Sequence, residues 1–372
     1  MKIERIELIL VSIPLKQYFE TSFGKVEVEK HIVVKMYSEG LVGYGESALG
    51  QSPSFSGETI ETAWHIQKDF LIPLLLNKNI SMIDDFINII KPVRHNHFAK
   101  CGLEGAFWYL LALKEKKPVY KLWGGTQSTI TSGVSIGIQE TIEKLLERIE
   151  HFFSEGYKRI KIKIKPGWDI QVVKSVREKF GDIPLMVDAN AAYTMKDLPV
   201  LKALDECNLM MIEQPLHFAD LTEHAELQKQ LKTPICLDES INGFRTAQAA
   251  MALESCRIVN IKPGRVGGYF YAKKIHNLCL EHAIPVWCGG MLEFGIGRAF
   301  NVALCTLPNF VLPGDVSSSS RYYDEDIIYP PIELLKGELK VPEAPAIGYE
   351  PDEDIIYHYA IRRYDTSSQE LL

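Results

Sequence analysis

The alternation of hydrophobic and polar positions divides the chain into two differently organised regions and a tail. Residues 1 to about 45 alternate in the manner of antiparallel strands around a Ser-Glu-Gly turn at 38–40. Residues 57–115 have helical periodicity, and the small, apolar segment 101–113 indicates a helix that is buried on several sides. From 132 onward, short apolar runs alternate with helical segments, which is typical of repeated βα units.

Eight of the apolar runs have strand character, and they lie at 133–138, 159–164, 184–189, 209–213, 234–238, 258–262, 283–288 and 310–314. Eight βα-type units predict an α/β fold with a modified (β/α)₈ barrel, in which active-site groups lie at the carboxyl ends of the strands. Changes of pattern near 125 and 320 predict an N-terminal domain at 1–125, a barrel domain at 126–320 and a tail at 321–372 that packs on the N-terminal domain.

Five charged residues end successive strand candidates at nearly constant intervals of 25, 25, 25 and 24 residues. They are Lys163, Asp188, Glu213, Asp238 and Lys262. Because the carboxyl ends of parallel strands meet at one face of a barrel, we expect these five charges to converge. The run 159–164 alone, in which Lys161 and Lys163 alternate with isoleucines, fits an edge strand with water-facing lysines equally well. Five charges in register favour a common site.

Three carboxylates between two lysines indicate a metal site with acid/base chemistry. Asp188, Glu213 and Asp238 supply only oxygen ligands, a set that favours Mg²⁺, with Mn²⁺ or another divalent cation second. A lysine acts as a base only when its pKa falls toward the working pH. Partial burial, a metal and the like charge of Lys161 would each lower the pKa of Lys163. The expected reaction is removal of the proton next to a metal-bound carboxylate, which gives an enediolate.

Six segments carry a resemblance to a known family, and they lie at 161–169, 188–190, 212–215, 237–240, 260–268 and 289–293. On these motifs the chain resembles the enolase superfamily, muconate-lactonizing subgroup, over essentially its whole length. Sites of this superfamily combine a lysine or histidine base with Mg²⁺. Within the subgroup, the chain is most similar to the o-succinylbenzoate synthases, which include N-acylamino acid racemases.

The resemblance implies a fold and a set of residue roles. It implies an α+β capping domain, built from the N-terminal region and the C-terminal tail, over the barrel. It implies Mg²⁺ ligands at Asp188, Glu213 and Asp238, and acid/base residues at Lys163 and Lys262 on opposite faces of the substrate. The supporting residues would be Lys161, Asn190 and Glu239. The substrate contacts would come from capping loops 18–24 and 51–56 and from Phe19, Phe23, Ser135, Arg265, Gly290 and Met291.

Two reactions of this family share the first step. An o-succinylbenzoate synthase dehydrates 2-succinyl-6-hydroxy-2,4-cyclohexadiene-1-carboxylate in menaquinone biosynthesis, and there Lys163 would remove the proton and then assist the departing hydroxide. An N-acylamino acid or N-succinylamino acid racemase would use Lys163 and Lys262 as two bases, and Arg265 is the pattern associated with racemising members. We expect a lyase of the first kind, with racemisation as the alternative or as a second activity of the same site.

Other functions fit the sequence less well. The seventh strand candidate does not end in histidine, as it does in acid-sugar dehydratases, and Asp315 is not followed by the second aspartate of the dipeptide epimerases. Muconate cycloisomerase and an inactive binding scaffold on the same fold stay as minor alternatives. Phe294 departs from the family pattern, which has a small hydroxyl residue there, so the local shape of the pocket is open.

Composition adds constraints on partners and location. The 372 residues carry a net charge of −7 and no clustered basic face, which argues against a nucleic-acid surface. No apolar run approaches the length of a membrane span, and the N-terminal residues lack the pattern of a signal peptide. Seven cysteines without a CxxC pair indicate buried free thiols. We therefore expect a cytoplasmic enzyme that acts on a small carboxylate, without nucleic-acid or membrane partners, and that forms a homo-oligomer.

Overall fold

An antiparallel sheet opens the chain. The computed structural model describes the backbone of residues 1–21 and 24–371, and the side chains of these residues except 19–21, 24 and 368–371. The first three strands are β1 (Arg5–Thr21), β2 (Gly24–Ser38) and β3 (Leu41–Ser47). They pair as antiparallel neighbours, and residues 39 and 40 form the predicted turn with positive φ angles. One face of the sheet packs on helices.

The helices that cover the sheet are α1 (Ile60–Ile66), a π-helical turn (Gln67–Leu71), α2 (Ile72–Leu75), α3 (Ile83–Ile90), α4 (His97–Glu115) and α5 (Val119–Trp123). Helix α4 is buried along most of its length, as the small, apolar segment 101–113 predicted. It lies so close to β3 that a Cβ atom added to Gly45 would be 2.0 Å from the backbone oxygen of Gly102. Glycine at 45 is therefore required by the approach of two backbones.

A short strand, β4 (Thr129–Thr131), leads into a parallel sheet of seven strands. The seven lie side by side in chain order as β5 (Val134–Ile136), β6 (Ile160–Lys163), β7 (Leu185–Asp188), β8 (Ile212–Glu213), β9 (Ile235–Leu237), β10 (Ile258–Ile261) and β11 (Val286–Cys288). Each falls inside one of the first seven predicted runs. Side chains of Met186, Met211, Cys236, Ile258 and Trp287 form a separate buried cluster among these strands.

The eighth predicted strand, 310–314, is wrong as a regular strand. It makes two isolated parallel bridges, from Phe310 to Val286 on one side and from Gly314 to Ser132 on the other. Pro313 lies within it, and proline has no N–H to donate to a ladder. One bridge reaches β11 and the other reaches Ser132, two residues before β5, so an irregular segment closes the ring of strands.

The helices that follow the barrel strands are α6 (Ile142–Ser154), α7 (Ile170–Phe180), α8 (Leu198–Asp205), α9 (Thr222–Gln230), α10 (Phe244–Leu253), α11 (Pro263–Val266), α12 (Tyr269–Glu281) and α13 (Gly295–Leu304). A 3₁₀ turn (Met195–Asp197) precedes α8. In α6, Leu145, Ile149 and Phe152 are buried, which matches their helical spacing in the sequence.

The C-terminal tail returns to both parts of the molecule. It contains a 3₁₀ turn (Ser319–Arg321), β12 (Ile328–Tyr329), β13 (Leu334–Leu335), β14 (Glu338–Lys340), β15 (Glu350–Pro351), α14 (Glu353–His358), β16 (Ala360–Asp365) and β17 (Ser368–Leu371). Strand β14 pairs with β4, whereas β16 pairs with β1 and β17 with β16. The N-terminal sheet therefore has five strands in the order β17-β16-β1-β2-β3.

All seven cysteines are free, and six of them are buried while Cys207 is half-buried. Among residues 1–21 and 24–371, no helix has the length and apolar character needed to cross a membrane.

We predict that Gly45→Ala destabilises the protein by about 1–3 kcal/mol or more, because the added methyl group would overlap backbone atoms of α4 that cannot rotate away. Gly57→Ala is the matched control, since a Cβ atom there meets nothing within 4 Å. Urea unfolding followed by circular dichroism measures both changes. Equal unfolding midpoints for the two variants would show that the contact between β3 and α4 is not as close as described.

Candidate active site

The five regularly spaced charges lie at one end of the barrel. Lys163 ends β6 and is in register with Asp188 at the end of β7, which is in register with Glu213 at the end of β8. Asp238 directly follows β9, and Lys262 directly follows β10. All five are at most 9% exposed. The structure thus brings together the residues that the 24- and 25-residue intervals predicted to converge.

Lys161 is surrounded by carboxylates. Its Nζ atom lies 2.6 Å from an oxygen of Asp315, 3.1 Å from Glu213 and 3.6 Å from Asp188. Burial alone would lower the pKa of Lys161, but Asp315, Glu213 and Asp188 outweigh it and hold that pKa well above the usual value. Lys161 is therefore a permanent positive charge inside the barrel and not a candidate base.

Lys163 and Lys262 face one cavity from opposite ends of the row of carboxylates. Lys163 Nζ lies 2.6 Å from Asp188 Oδ2 and 2.6 Å from Asn190 Oδ1. Lys262 Nζ lies 3.0 Å from Asp238 Oδ2 and 4.4 Å from the centre of the Phe55 ring. Both side chains line a cavity of about 420 Å³ that opens between the barrel and the N-terminal sheet. Each lysine is thus held by its own aspartate.

Two of the carboxylates between the lysines, Glu213 and Asp238, have pKa values shifted in opposite directions. Burial and the neighbouring Asp188 raise the pKa of Glu213, which accepts a hydrogen bond of 2.8 Å from Asn260 Nδ2. Burial would also raise the pKa of Asp238, but Arg265 and Lys262 outweigh it, and this pKa lies below its usual range. Asp238 is therefore kept ionised by the cations that face it, whereas burial next to Asp188 favours the protonated form of Glu213.

Asp188, Glu213 and Asp238 fit a divalent cation by the chemistry of their donor atoms. They offer only oxygen atoms, they are buried, and they come from three neighbouring strands. Among the described residues, no three Asp, Glu, His or Cys side chains stand at ligand distance from a common point. The reason lies in the pairs described above, since each of the three carboxylates is turned toward a lysine or an arginine.

Asn190 links Lys163 to a further carboxylate. Its backbone has a positive φ of 44°, its side-chain oxygen accepts from Lys163, and its Nδ2 donates to Glu239 Oε1 at 3.0 Å. Burial, Asp238 and Asp188 raise the pKa of Glu239 to about 7. Asn190 and Glu239 therefore lie in one hydrogen-bonded chain with Lys163.

The predicted substrate contacts fall into three groups. Ser135, Gly290 and Met291 line the cavity. Phe23 and the side chain of Phe19 lie outside the described residues. Arg265 does not line the cavity, because its guanidinium is directed at Asp238 and at the backbone oxygens of residues 241 and 260.

Phe294, which departs from the family pattern, does not line the cavity either. Its ring is fully buried, 4.4 Å from the ring of His31 and 5.2 Å from that of Tyr323. The large side chain at this position therefore fills the contact between barrel and N-terminal sheet and leaves the cavity free.

Asp315 is the main site residue that sequence reasoning missed. It lines the cavity, pairs with Lys161 and accepts a hydrogen bond of 2.8 Å from Arg159. Burial would raise the pKa of Asp315, but Arg159 and Lys161 lower it below its usual range. Its position directly after the strand candidate 310–314 was the available signal, because the other charges of the site also follow strands.

Family models match almost the whole chain. The model described as Enolase C-terminal domain-like matches residues 144–355. The model of the mandelate racemase / muconate lactonizing enzyme N-terminal domain matches residues 5–124. Together the two models account for both the barrel and the sheet that covers it.

Individual proteins show the same relationship. An o-succinylbenzoate synthase from Geobacillus kaustophilus is 49% identical over 360 residues, which is 96% of each chain. An N-succinylamino acid racemase from Thermus thermophilus is 43% identical over 94% of each chain. The crystal structure of an enolase superfamily member from Listeria innocua is 41% identical, has a TM-score of 0.95, and is matched over 98% of this chain and 99% of its own. As its motifs predicted, the chain belongs to the enolase superfamily, with the N- and C-terminal domains of the mandelate racemase and muconate lactonizing enzymes.

Proposed function

We propose that the protein is an o-succinylbenzoate synthase that dehydrates 2-succinyl-6-hydroxy-2,4-cyclohexadiene-1-carboxylate. The observation that carries the proposal is the placement of Lys163 and Lys262 at the two ends of a row of three carboxylates in one cavity. Relatives of 45–49% identity that span nearly the whole chain carry this name. The substrate is a small carboxylate, as it is for the relatives.

In the proposed reaction, Lys163 moves the protons. Its neutral amine takes the α-proton, and the electron pair of the C–H bond passes into the substrate carboxylate. The pair then returns to form the new double bond as the C–O bond breaks. The same Lys163 ammonium gives its proton to the leaving hydroxide, so that water departs. Asp188 and Asn190 fix the position of Nζ during both transfers.

Asp188, Glu213 and Asp238 would hold Mg²⁺, the cation that enolase superfamily members use. When bound, it supplies positive charge beside the substrate carboxylate, where negative charge develops as the α-proton leaves. Lys161 contributes a positive charge to the same region, and its ammonium lies 2.6 Å from Asp315, which is not one of the proposed ligands. Lys262 adds a second positive charge at the opposite wall.

Racemisation of N-succinylamino acids is the second proposed activity. This activity is favoured by the similar surroundings of Lys163 and Lys262. Each lysine donates a hydrogen bond to an aspartate at the end of a strand, and each lines the cavity. If Lys163 removes a proton from one face of the substrate, Lys262 can deliver one to the other face. A relative that is 43% identical bears the name N-succinylamino acid racemase.

We assign to Arg265 a role that acts through Asp238. Its guanidinium bonds to Asp238, which also accepts from Lys262 at 3.0 Å. Arg265 therefore shares the aspartate that holds the second lysine, and it affects proton transfer by Lys262 without touching substrate. This role replaces the expected direct contact between Arg265 and substrate.

Replacement of Lys163 tests the proposed base. We predict that Lys163→Ala lowers the rates of dehydration and racemisation by about 10²–10⁴-fold, the usual contribution of a general base. Lys158→Ala is the matched control, since Lys158 is exposed and precedes the same strand. Steady-state kinetics with the dehydration substrate and an N-succinylamino acid in the presence of Mg²⁺ measure the effect. Near-wild-type rates in Lys163→Ala would contradict the mechanism.

Lys262→Arg separates the two activities. The guanidinium keeps the positive charge but does not give up a proton near neutral pH, so racemisation should fall about 10²-fold or more. The rate of dehydration should fall no further than the rate of racemisation, because dehydration needs only the positive charge at position 262. Polarimetry and dehydration assays on the same sample make the comparison. Equal, mild losses in both reactions would count against Lys262 as the second base.

Metal removal distinguishes an enzyme from a binding scaffold on this fold. We predict that treatment with EDTA abolishes turnover and that added Mg²⁺ restores it, because Lys163 and Lys262, the lysines that must react, otherwise pair with two of the proposed metal ligands, Asp188 and Asp238. Turnover that persists in excess chelator would exclude the proposed metal site.

A further inference from the structure

A carboxylate of the N-terminal sheet lies at the start of a barrel helix. Glu46, near the end of β3, accepts hydrogen bonds from the backbone N–H of Phe294 at 2.8 Å and of Gly297 at 2.7 Å. These N–H groups belong to the first turn of α13, where helical donors have no partner within the helix. Glu46 is 3% exposed, so its charge is satisfied almost entirely by these contacts and by one further side chain.

That further side chain is His31 of β2. Its Nδ1 lies 2.8 Å from Glu46 Oε1, and its Nε2 lies 3.5 Å from Glu29 Oε2. Burial would lower the pKa of His31, but Glu29 and Glu46 outweigh it and raise the pKa to about 9. The carboxylates on both sides of the ring therefore favour the charged form of His31, which offsets the charge of Glu46 inside the contact. Its ring also packs on Phe294 at 4.4 Å.

Helix α13 in turn holds one wall of the cavity. Residues 290–293, here called the 290–293 wall, are separated from α13 by Phe294 alone, and all four line the cavity. Arg298 of α13 donates to the backbone oxygen of Glu293, and Asn301 donates to Glu293 Oε1 at 2.8 Å. Leu292 has a positive φ of 56°, a conformation that needs support from its surroundings. The wall is thus anchored to the same helix that Glu46 anchors to the sheet.

We propose that Glu46, held by His31, is a positioning residue that sets the place of the 290–293 wall relative to the reacting lysines. The N-terminal sheet therefore controls substrate fit through this buried contact as well as through the loop residues that line the cavity. The kinetic part of this inference rests on the proposed function, whereas the structural part does not.

Glu46→Gln is the direct test. It keeps the side-chain volume but removes the charge that α13 and His31 share. We expect KM for the dehydration substrate to rise about tenfold, with kcat within about threefold, because the wall shifts while the lysines stay in place. Hydrogen–deuterium exchange should become faster across residues 289–297. Unchanged KM together with unchanged exchange at 290–293 would overturn the proposal.

His31→Gln provides a second route if Glu46→Gln does not fold. This substitution leaves the Glu46 carboxylate on α13 but removes the histidine that faces it. It should raise KM and speed hydrogen exchange less than Glu46→Gln does. The change in KM, expressed as a free energy, should be smaller in the double variant than the sum of the changes in the two single variants, because both substitutions act on one contact. Strict additivity of the two changes in KM would also overturn the proposal.

Glu58→Gln is the matched control. Glu58 likewise accepts from the backbone N–H groups of residues 97–99 at the start of a helix, but that helix is α4 and does not carry the cavity wall. The Glu58→Gln substitution should lower the stability of the protein without changing KM. An equal rise of KM in Glu58→Gln would show that general destabilisation explains the effect. If the proposed reaction itself is wrong, the exchange measurement still decides the structural part.

Discussion

Each buried charge at the end of the barrel needs a partner of opposite charge, and the arrangement of the site depends on this constraint. Lys161, Lys163 and Lys262 are each less than a tenth exposed, and a buried charge without a partner costs several kcal/mol. Every one of them has an aspartate within 3.0 Å. The pairing that makes burial tolerable also places two amino groups at fixed points of one cavity.

The N-terminal sheet completes this arrangement from outside the barrel. Phe55, in a loop beyond β3, covers Lys262 with its ring, and residues of β2 line the cavity beside the reacting groups. Strand β16 of the tail pairs with β1 and so ties the end of the chain to this sheet. Contacts such as that of Glu46 with α13 then link the position of the sheet to the barrel loops. The cavity is therefore lined by residues of the N-terminal sheet as well as of the barrel, and the two parts meet at buried charges.

Much of this site could be predicted from local sequence, because its order follows from the βα repeat. The runs that end in Lys163, Asp188, Glu213 and Asp238 alternate with helical segments, so convergence follows from parallel pairing. The irregular segment 310–314 could not be predicted in the same way, because its proline prevents a regular ladder while the ring still closes.

Contacts between residues that are distant in the sequence could not be predicted. Lys161 meets Asp315 only because the barrel closes, and Arg265 turns to Asp238 instead of the cavity because two backbone oxygens and one carboxylate receive its guanidinium. The contact of Glu46 with Phe294 joins residues 248 positions apart. Hydrophobic periodicity carries no information on such pairs, since it reports which face is buried and not what lies opposite.

In the proposed reactions, Lys163 and Lys262 face one substrate carbon from opposite sides. Exchange of the α-proton of N-succinylamino acids of both hands in D₂O, with the wild-type enzyme and Mg²⁺, tests this arrangement. Both enantiomers should exchange, because either lysine can remove the proton that faces it. Exchange confined to one enantiomer, or absent from both while dehydration proceeds, would contradict it.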